Sequence, residues 1–232
     1  MYLLSGILVL ALAGCVLVDH SGPAQHETKS IPLDKAEMVR AEIKIGAGNL
    51  KIRGGSSQLV DTDFTYNVPS WKPEVRYDSS GFRGRLTIEQ PGGNHNNFGK
   101  TKYEWDLRFN NDVPLSLNVH FGAGNAELDL GSLTLDQLAI NMGVGNLRLD
   151  LKGNPKKDYQ VGIHGGVGNA TVYLPDAIGV VAEAHGGIGS VDARDLHKRG
   201  DRYVNDAYEN HAKVTVRLDI HGGIGSVHLI GG

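Results

Sequence analysis

From Ala41 onward, apolar and polar residues alternate along much of the chain. In "IKIGAGNLKI" (43–52), Ile43, Ile45, Leu50 and Ile52 are apolar, whereas Lys44 and Lys51 are charged. A period of two belongs to a half-buried β-strand, because successive side chains point to opposite faces. The pattern returns in "VHFGAGNAEL" (119–128), "INMGVGNLRL" (140–149), "IHGGVGNATV" (163–172), "AHGGIGSVDA" (184–193) and "IHGGIGSVHL" (220–229). Each copy predicts a strand, a Gly-x-Gly corner and a second strand. The apolar residue inside the corner (Ala47, Ala123, Val144, Val167, Ile188, Ile224) is expected to point into the core.

Second glycines at 124, 145, 168, 189 and 225 give steps of 21, 23, 21 and 36 residues. A repeat of that length signals stacked, solenoid-like coils. The fold class expected is therefore all-β, a stack of β-coils. The corner residues are Gly46, Gly48 and Asn49; Gly122, Gly124 and Asn125; Gly143, Gly145 and Asn146. They continue with Gly166, Gly168 and Asn169; Gly187, Gly189 and Ser190; Gly223, Gly225 and Ser226. Glycine supplies φ values that other residues resist, and Asn tolerates the left-handed region. Stacking would set the Asn and Ser side chains in a ladder with rungs about 4.8 Å apart. A dinucleotide-binding loop is excluded. It needs a helix after its glycines, and here period-two alternation follows instead. The last copy, ending "SVHLIGG", is expected to leave an unpaired sheet edge.

His120, His164, His185 and His221 share one column, two residues before the first glycine. Imidazoles at strand spacing are weak candidates for a divalent metal site. The column also holds Lys44 and Asn141 with no carboxylate at a constant offset, so no metal or other cofactor is assigned. Between the first two copies lie nine aromatic residues, including Trp71 and Trp105. They are read as core of a short β subdomain, with Trp71 and Trp105 as an alternative ligand surface. "PEVRYDSSGFRGRLTIEQ" (73–90) predicts a hairpin around Ser79-Ser80-Gly81. The charged insertion 195–213 predicts a surface excursion with a helical turn near Val204 to Glu209.

Composition changes this picture little. A formal net charge of -3 and 21% charged residues are ordinary and give no basic footprint for nucleic acid. Glycine, 32 of 232 residues, is about twice its usual share.

The first residues matter more. "MYLLSGILVLALAGC" carries an apolar run too short for a membrane-spanning helix and suited to a signal peptide. It ends in "LAGC", and Cys15 is the chain's one cysteine. The stretch resembles the lipobox of bacterial lipoproteins. The resemblance implies cleavage before Cys15 and acylation of its sulfur, although no Lys or Arg precedes the apolar run. Expected domains are a signal peptide (1–14), a lipidated Cys15 with a polar tether (15–30), an N-terminal β subdomain (31–112) and a continuous repeat region (113–232).

With its Gly-x-Gly-Asn corners, the stretch from "IPLDKAEMVRAEIKIGAGNLKIRGG" to the last copy resembles the toast-rack family of bacterial envelope proteins. That resemblance covers about residues 31–232. It implies stacked β-coils related to adhesin domains, and no assigned catalytic residues. The expected role is a lipid-anchored scaffold or interaction module of the envelope, with a protein partner and a link to envelope stress. An adhesin or glycan-binding lipoprotein is the alternative, and a polysaccharide-active β-solenoid enzyme the third.

Overall fold

A computed structural model describes residues 22–92 and 101–232. The expected signal peptide and Cys15 lie outside these residues. The described chain is nearly all β. Its strands are β1 (Gln25–Ile31), β2 (Met38–Gly54), β3 (Val60–Tyr66), β4 (Glu74–Ser80), β5 (Arg83–Glu89), β6 (Tyr103–Phe109) and β7 (Leu115–Asp129). They continue with β8 (Leu135–Asp150), β9 (Tyr159–Tyr173), β10 (Gly179–Arg194), β11 (His197–Arg199), β12 (Arg202–Val204) and β13 (Thr215–Ile230). One short helix, α1 (Asp206–Glu209), follows β12. No described helix is long and apolar enough to cross a membrane.

All thirteen strands join one sheet, ordered β1-β3-β6-β2-β7-β8-β9-β13-β10-β12-β11, with β5 and β4 branching from β2. The six Gly-x-Gly copies are β2, β7, β8, β9, β13 and β10. They run parallel and in register, so Gly48 faces Gly124, Gly124 faces Gly145, and Gly145 faces Gly168. The branch at β2 divides its two halves: Met38–Lys44 pairs with β5, and Asn49–Gly54 pairs with β6. The expected hairpin is present as β4 and β5, with Gly81 at φ 60° in its turn.

The columns read from the sequence are the core. Ile43, Ile45, Leu50 and Ile52 are almost fully buried, as are their counterparts Val119, Phe121, Ala126 and Leu128. Ile45 and Leu50 are five residues apart, so strict alternation would put them on opposite faces. The second glycine of each copy takes φ between 127° and 154°, and the alternation is reset across the glycine run. A Cβ placed on Gly222 would lie 3.8 Å from Val227 Cγ2, so positions flanking the glycines look toward a shared interior.

Four expectations are corrected. Each Gly-x-Gly run is continuous extended structure within one long strand, not a break between two. The residue between the glycines points outward: Val144 is 54% exposed, Val167 44%, Ile224 52% and Ile188 73%. Val144 stands two residues after the buried Met142, so alternation already fails before the second glycine. Residues 25–30, expected within the tether, are instead in a strand, because Gln25–Ile31 pairs antiparallel with β3; its own apolar alternation is too weak to read. Finally, the last copy is not the edge. β13 inserts between β9 and β10, and β10 takes the outer place.

The insertion explains that last exchange. After β10 the chain turns back through β11 and β12, and β12 pairs with Val181–Glu183 on β10's outer side. The excursion is fastened where β13 begins: Gly179 N donates to Val214 O at 2.9 Å, and Thr215 N donates to Asp158 Oδ1 at 2.8 Å. The chain therefore re-enters the sheet on the inner side of β10.

Candidate functional site

The corner Asn and Ser residues build one row across the sheet. Thr65 faces Glu104, Glu104 faces Asn49, and the row continues through Asn125, Asn146 and Asn169. Each amide donates toward β2. Asn125 Nδ2 reaches Asn49 Oδ1 at 3.3 Å, Asn146 Nδ2 reaches Asn125 Oδ1 at 3.0 Å, and Asn169 Nδ2 reaches Asn146 Oδ1 at 3.4 Å. Beyond them Ser226 N donates to Asn169 Oδ1 at 3.2 Å, and Ser190 Oγ lies 3.2 Å from Ser226 Oγ. A carboxamide has two donors and two lone pairs. The ladder uses one donor and one lone pair per rung, and the exposed remainder faces solvent.

This row lines a groove of about 750 Å³ that crosses the sheet from β3 to β9. Alongside it runs a second row of alternating charge: Asp106, Lys51, Glu127, Arg148, then Thr171. Lys51 pairs with Glu127 at 3.6 Å, and Asp106 pairs with Arg53 at 2.8 Å. Arg148 lies over the Tyr173 ring, 4.1 Å from its centroid, and donates to the phenol oxygen. The remaining groove acids also have basic side chains beside them. Asp63 lies 3.3 Å from His26, and Glu104 lies 3.5 Å from Lys102. Surface pairs of this kind add little stability. What they do is balance the charge of the groove wall.

The aromatic residues do not supply a stacking platform. Trp71 is 6% exposed and Trp105 2%, so the ligand surface considered there is replaced by core. Trp105 packs edge-on against Phe64 at 5.3 Å, and Trp71 packs edge-on against Tyr103 at 5.5 Å. Tyr103 Oη donates to Trp71 O at 2.6 Å, and burial pushes its phenol well above the ordinary tyrosine range. Elsewhere the hydroxyls of Ser30 and Ser56 hold Asp61 below the usual carboxylate range.

The histidine column is assembled only in part. Sheet order makes it His120, Asn141, His164, His221, His185. The His164 and His221 rings are parallel within 2° at 5.2 Å, and His185 stacks on His221 at 5.2 Å. Imidazole lone pairs lie in the ring plane, so face-to-face rings direct them side by side and not at one point. Among the described residues, the group with metal-ligand proximity is a different one: His197, Asp206 and Glu209, all exposed. Its members are already engaged, His197 with Asp206 and Arg199 with Glu209, each at 2.6 Å.

Six parallel glycine-stacked rungs within one mixed sheet, with an amide-lined face, define a repeat-built β module. The chain belongs to the toast-rack family: residues 20–173 match the N-terminal domain of toast_rack (DUF2154). No curated protein is similar to it in sequence. Among solved structures, a "putative cell adhesion protein" from Clostridium sporogenes is 33% identical over 90% of this chain and 100% of its own, with a TM-score of 0.84. A "putative adhesin" from Bacteroides fragilis is 10% identical over 91% of this chain and 99% of its own, but its TM-score is 0.33. That similarity carries no argument here.

Proposed function

We propose that this chain is a non-catalytic adhesion protein of the bacterial cell surface, which holds an extended glycan in the amide-lined groove. The observation that carries this reading is the ladder from Asn49 to Asn169 along the groove. Neutral donors and acceptors at one strand spacing suit a hydroxyl-rich polymer, whereas a polyanion would call for an excess of cations. The similarity to the Clostridium sporogenes protein, by its name a cell adhesion protein, supports the same role. Catalysis on the glycan is disfavoured by the pairing of the groove acids. Glycoside hydrolysis needs a protonated acid beside an ionised base or nucleophile, and here Glu104, Asp106 and Glu127 each sit with a lysine or arginine, while Asp63 sits against the His26 ring.

A glycan array probed with the full chain tests this. Asn125→Ala with Asn146→Ala removes exposed side chains from the groove centre. At about 1 kcal/mol per lost hydrogen bond, the pair is expected to weaken binding on the order of thirtyfold. Absence of any glycan bound by the unaltered protein, or equal binding by the double variant, would remove the proposal.

The anchor is proposed at Cys15. Wild-type protein should fractionate with membranes and carry acyl mass on its N-terminal cysteine, and Cys15→Ser should remain an unacylated precursor with its signal segment uncleaved. Two acyl chains would anchor stably where a single one would not. A soluble, unacylated wild-type protein would refute the anchor and leave the groove assignment standing.

A further inference from the structure

Five of the six glycine rungs have a strand on both sides, and β10 is the exception. Its inner edge pairs with β13 from Gly179 to Arg194. Its outer edge pairs with β12 at Val181–Glu183 alone. From Ala184 to Arg194 no described strand covers it. Natural edges are blunted by charged residues, proline or bulges; this stretch has no proline, and its carboxylate and guanidinium, Asp192 and Arg194, lie only at its far end.

The glycines set a strict condition on what fits there. A Cβ on Gly225 would stand 1.7 Å from Gly168 O, and one on Gly189 would stand 1.7 Å from Gly225 O. The first glycines obey the same rule, with Gly223 2.3 Å from Gly166 O and Gly187 2.4 Å from Gly223 O. In every case the absent side chain points toward the β2 end. That end is sealed: Gly46 N donates to Gln90 Oε1 at 2.7 Å, and Tyr103 O would stand 2.3 Å from a Cβ on Gly48. The β10 end is open. A parallel strand laid on it in register would aim its own Cβ atoms at Gly187 O and Gly189 O.

We propose that the free edge of β10 binds, by strand addition, an extended segment of a partner protein with glycine at two alternate positions. The segment runs parallel to β10, with an aliphatic residue between its glycines. That residue would lie beside Ile188, at 73% the most exposed large apolar side chain among the described residues. Asp192 already has His228 at 3.5 Å and Arg194 at 3.2 Å, so the segment needs no basic residue beside it. Backbone hydrogen bonds give such complexes affinity, and side-chain positions give them selectivity. This surface is separate from the groove.

The experiment uses a fluorescent peptide with the sequence of residues 220–230, IHGGIGSVHLI, added to the full chain. Saturable binding is expected. It should weaken at least tenfold when the peptide carries Gly223→Ala and Gly225→Ala. It should also weaken at least tenfold when the protein carries Ile188→Lys, and hold with Val144→Lys, a similarly exposed position in mid-sheet. Equal binding of the alanine peptide, equal effects of the two lysine variants, or no saturable binding overturns the proposal. So does a dimer in light scattering that Ile188→Lys converts to monomer, since a second copy would then occupy the edge.

Discussion

Gly168→Ala is expected to lower the melting temperature by about 8–16 °C, whereas Gly162→Ala, six residues earlier on the same strand, is expected to leave it unchanged or raise it. The difference lies in what the new methyl meets. At Gly168 it would stand 1.7 Å from Gly145 O, with φ at 143°. A backbone oxygen in a parallel ladder has no rotamer to change, so the strands must part or the dihedral must move. A disfavoured φ alone costs about 1–3 kcal/mol. Parting the rungs adds lost hydrogen bonds at roughly 1 kcal/mol each. A total of about 4 kcal/mol is a large share of the stability of an ordinary domain and corresponds to about 8–16 °C at this size. At Gly162 nothing lies within 4 Å, and alanine there restricts the unfolded chain by about 0.4–1 kcal/mol. Calorimetry of both variants decides the matter. Melting temperatures within 2 °C of each other would mean that the stacked glycines are not the closest approach between rungs.

The same glycines show how far the chain can be read without coordinates. Burial of the flanking columns follows from period two, and Ile43, Ile52, Val119 and Leu128 are buried as expected. The direction of Val144 and Ile188 does not follow. Alternation counts residues, and it does not carry through the glycine run, where Met142 is buried and Val144, two places on, is exposed. The Asn ladder was legible because register repeats the column at every strand. The groove was not, since its far wall comes from β3 and β6, which lack the repeat and join β2 through pairing that no spacing encodes. Strand order was hidden for a similar reason. The step of 36 residues marks an excursion but does not say on which side of β10 it returns.

The residue that holds that excursion reads as an ordinary loop asparagine. Asn205 is 5% exposed, and its side chain makes four hydrogen bonds. Oδ1 accepts from Val180 N at 2.9 Å and, as the N-cap of α1, from Tyr208 N at 3.0 Å. Nδ2 donates to Ile178 O at 2.7 Å and to Pro175 O at 3.1 Å. A carboxamide offers two donors and two lone pairs, so its capacity is used in full. Asn205→Ala would strand backbone groups at the start of β10, at about 1–3 kcal/mol for each one left without water. The expected loss is roughly 4 kcal/mol including the cap. Asn205→Asp separates the two sides of the site. The carboxylate still accepts from Val180 N and Tyr208 N, but it faces two carbonyl oxygens in place of donating to them. Burial beside those oxygens favours the protonated acid, so the folded-state pKa of this aspartate should lie above its unfolded value. Its penalty is then full above the folded pKa and fades as pH falls through it. The deficit of Asn205→Asp against wild type should therefore be smaller at pH 4.5 than at pH 7.5, and that of Asn205→Ala should not change in step. Chemical denaturation of the three proteins at both pH values tests this. A variant Asn205→Ala as stable as wild type would show that the return of β13 to the inner side of β10 does not depend on this anchor.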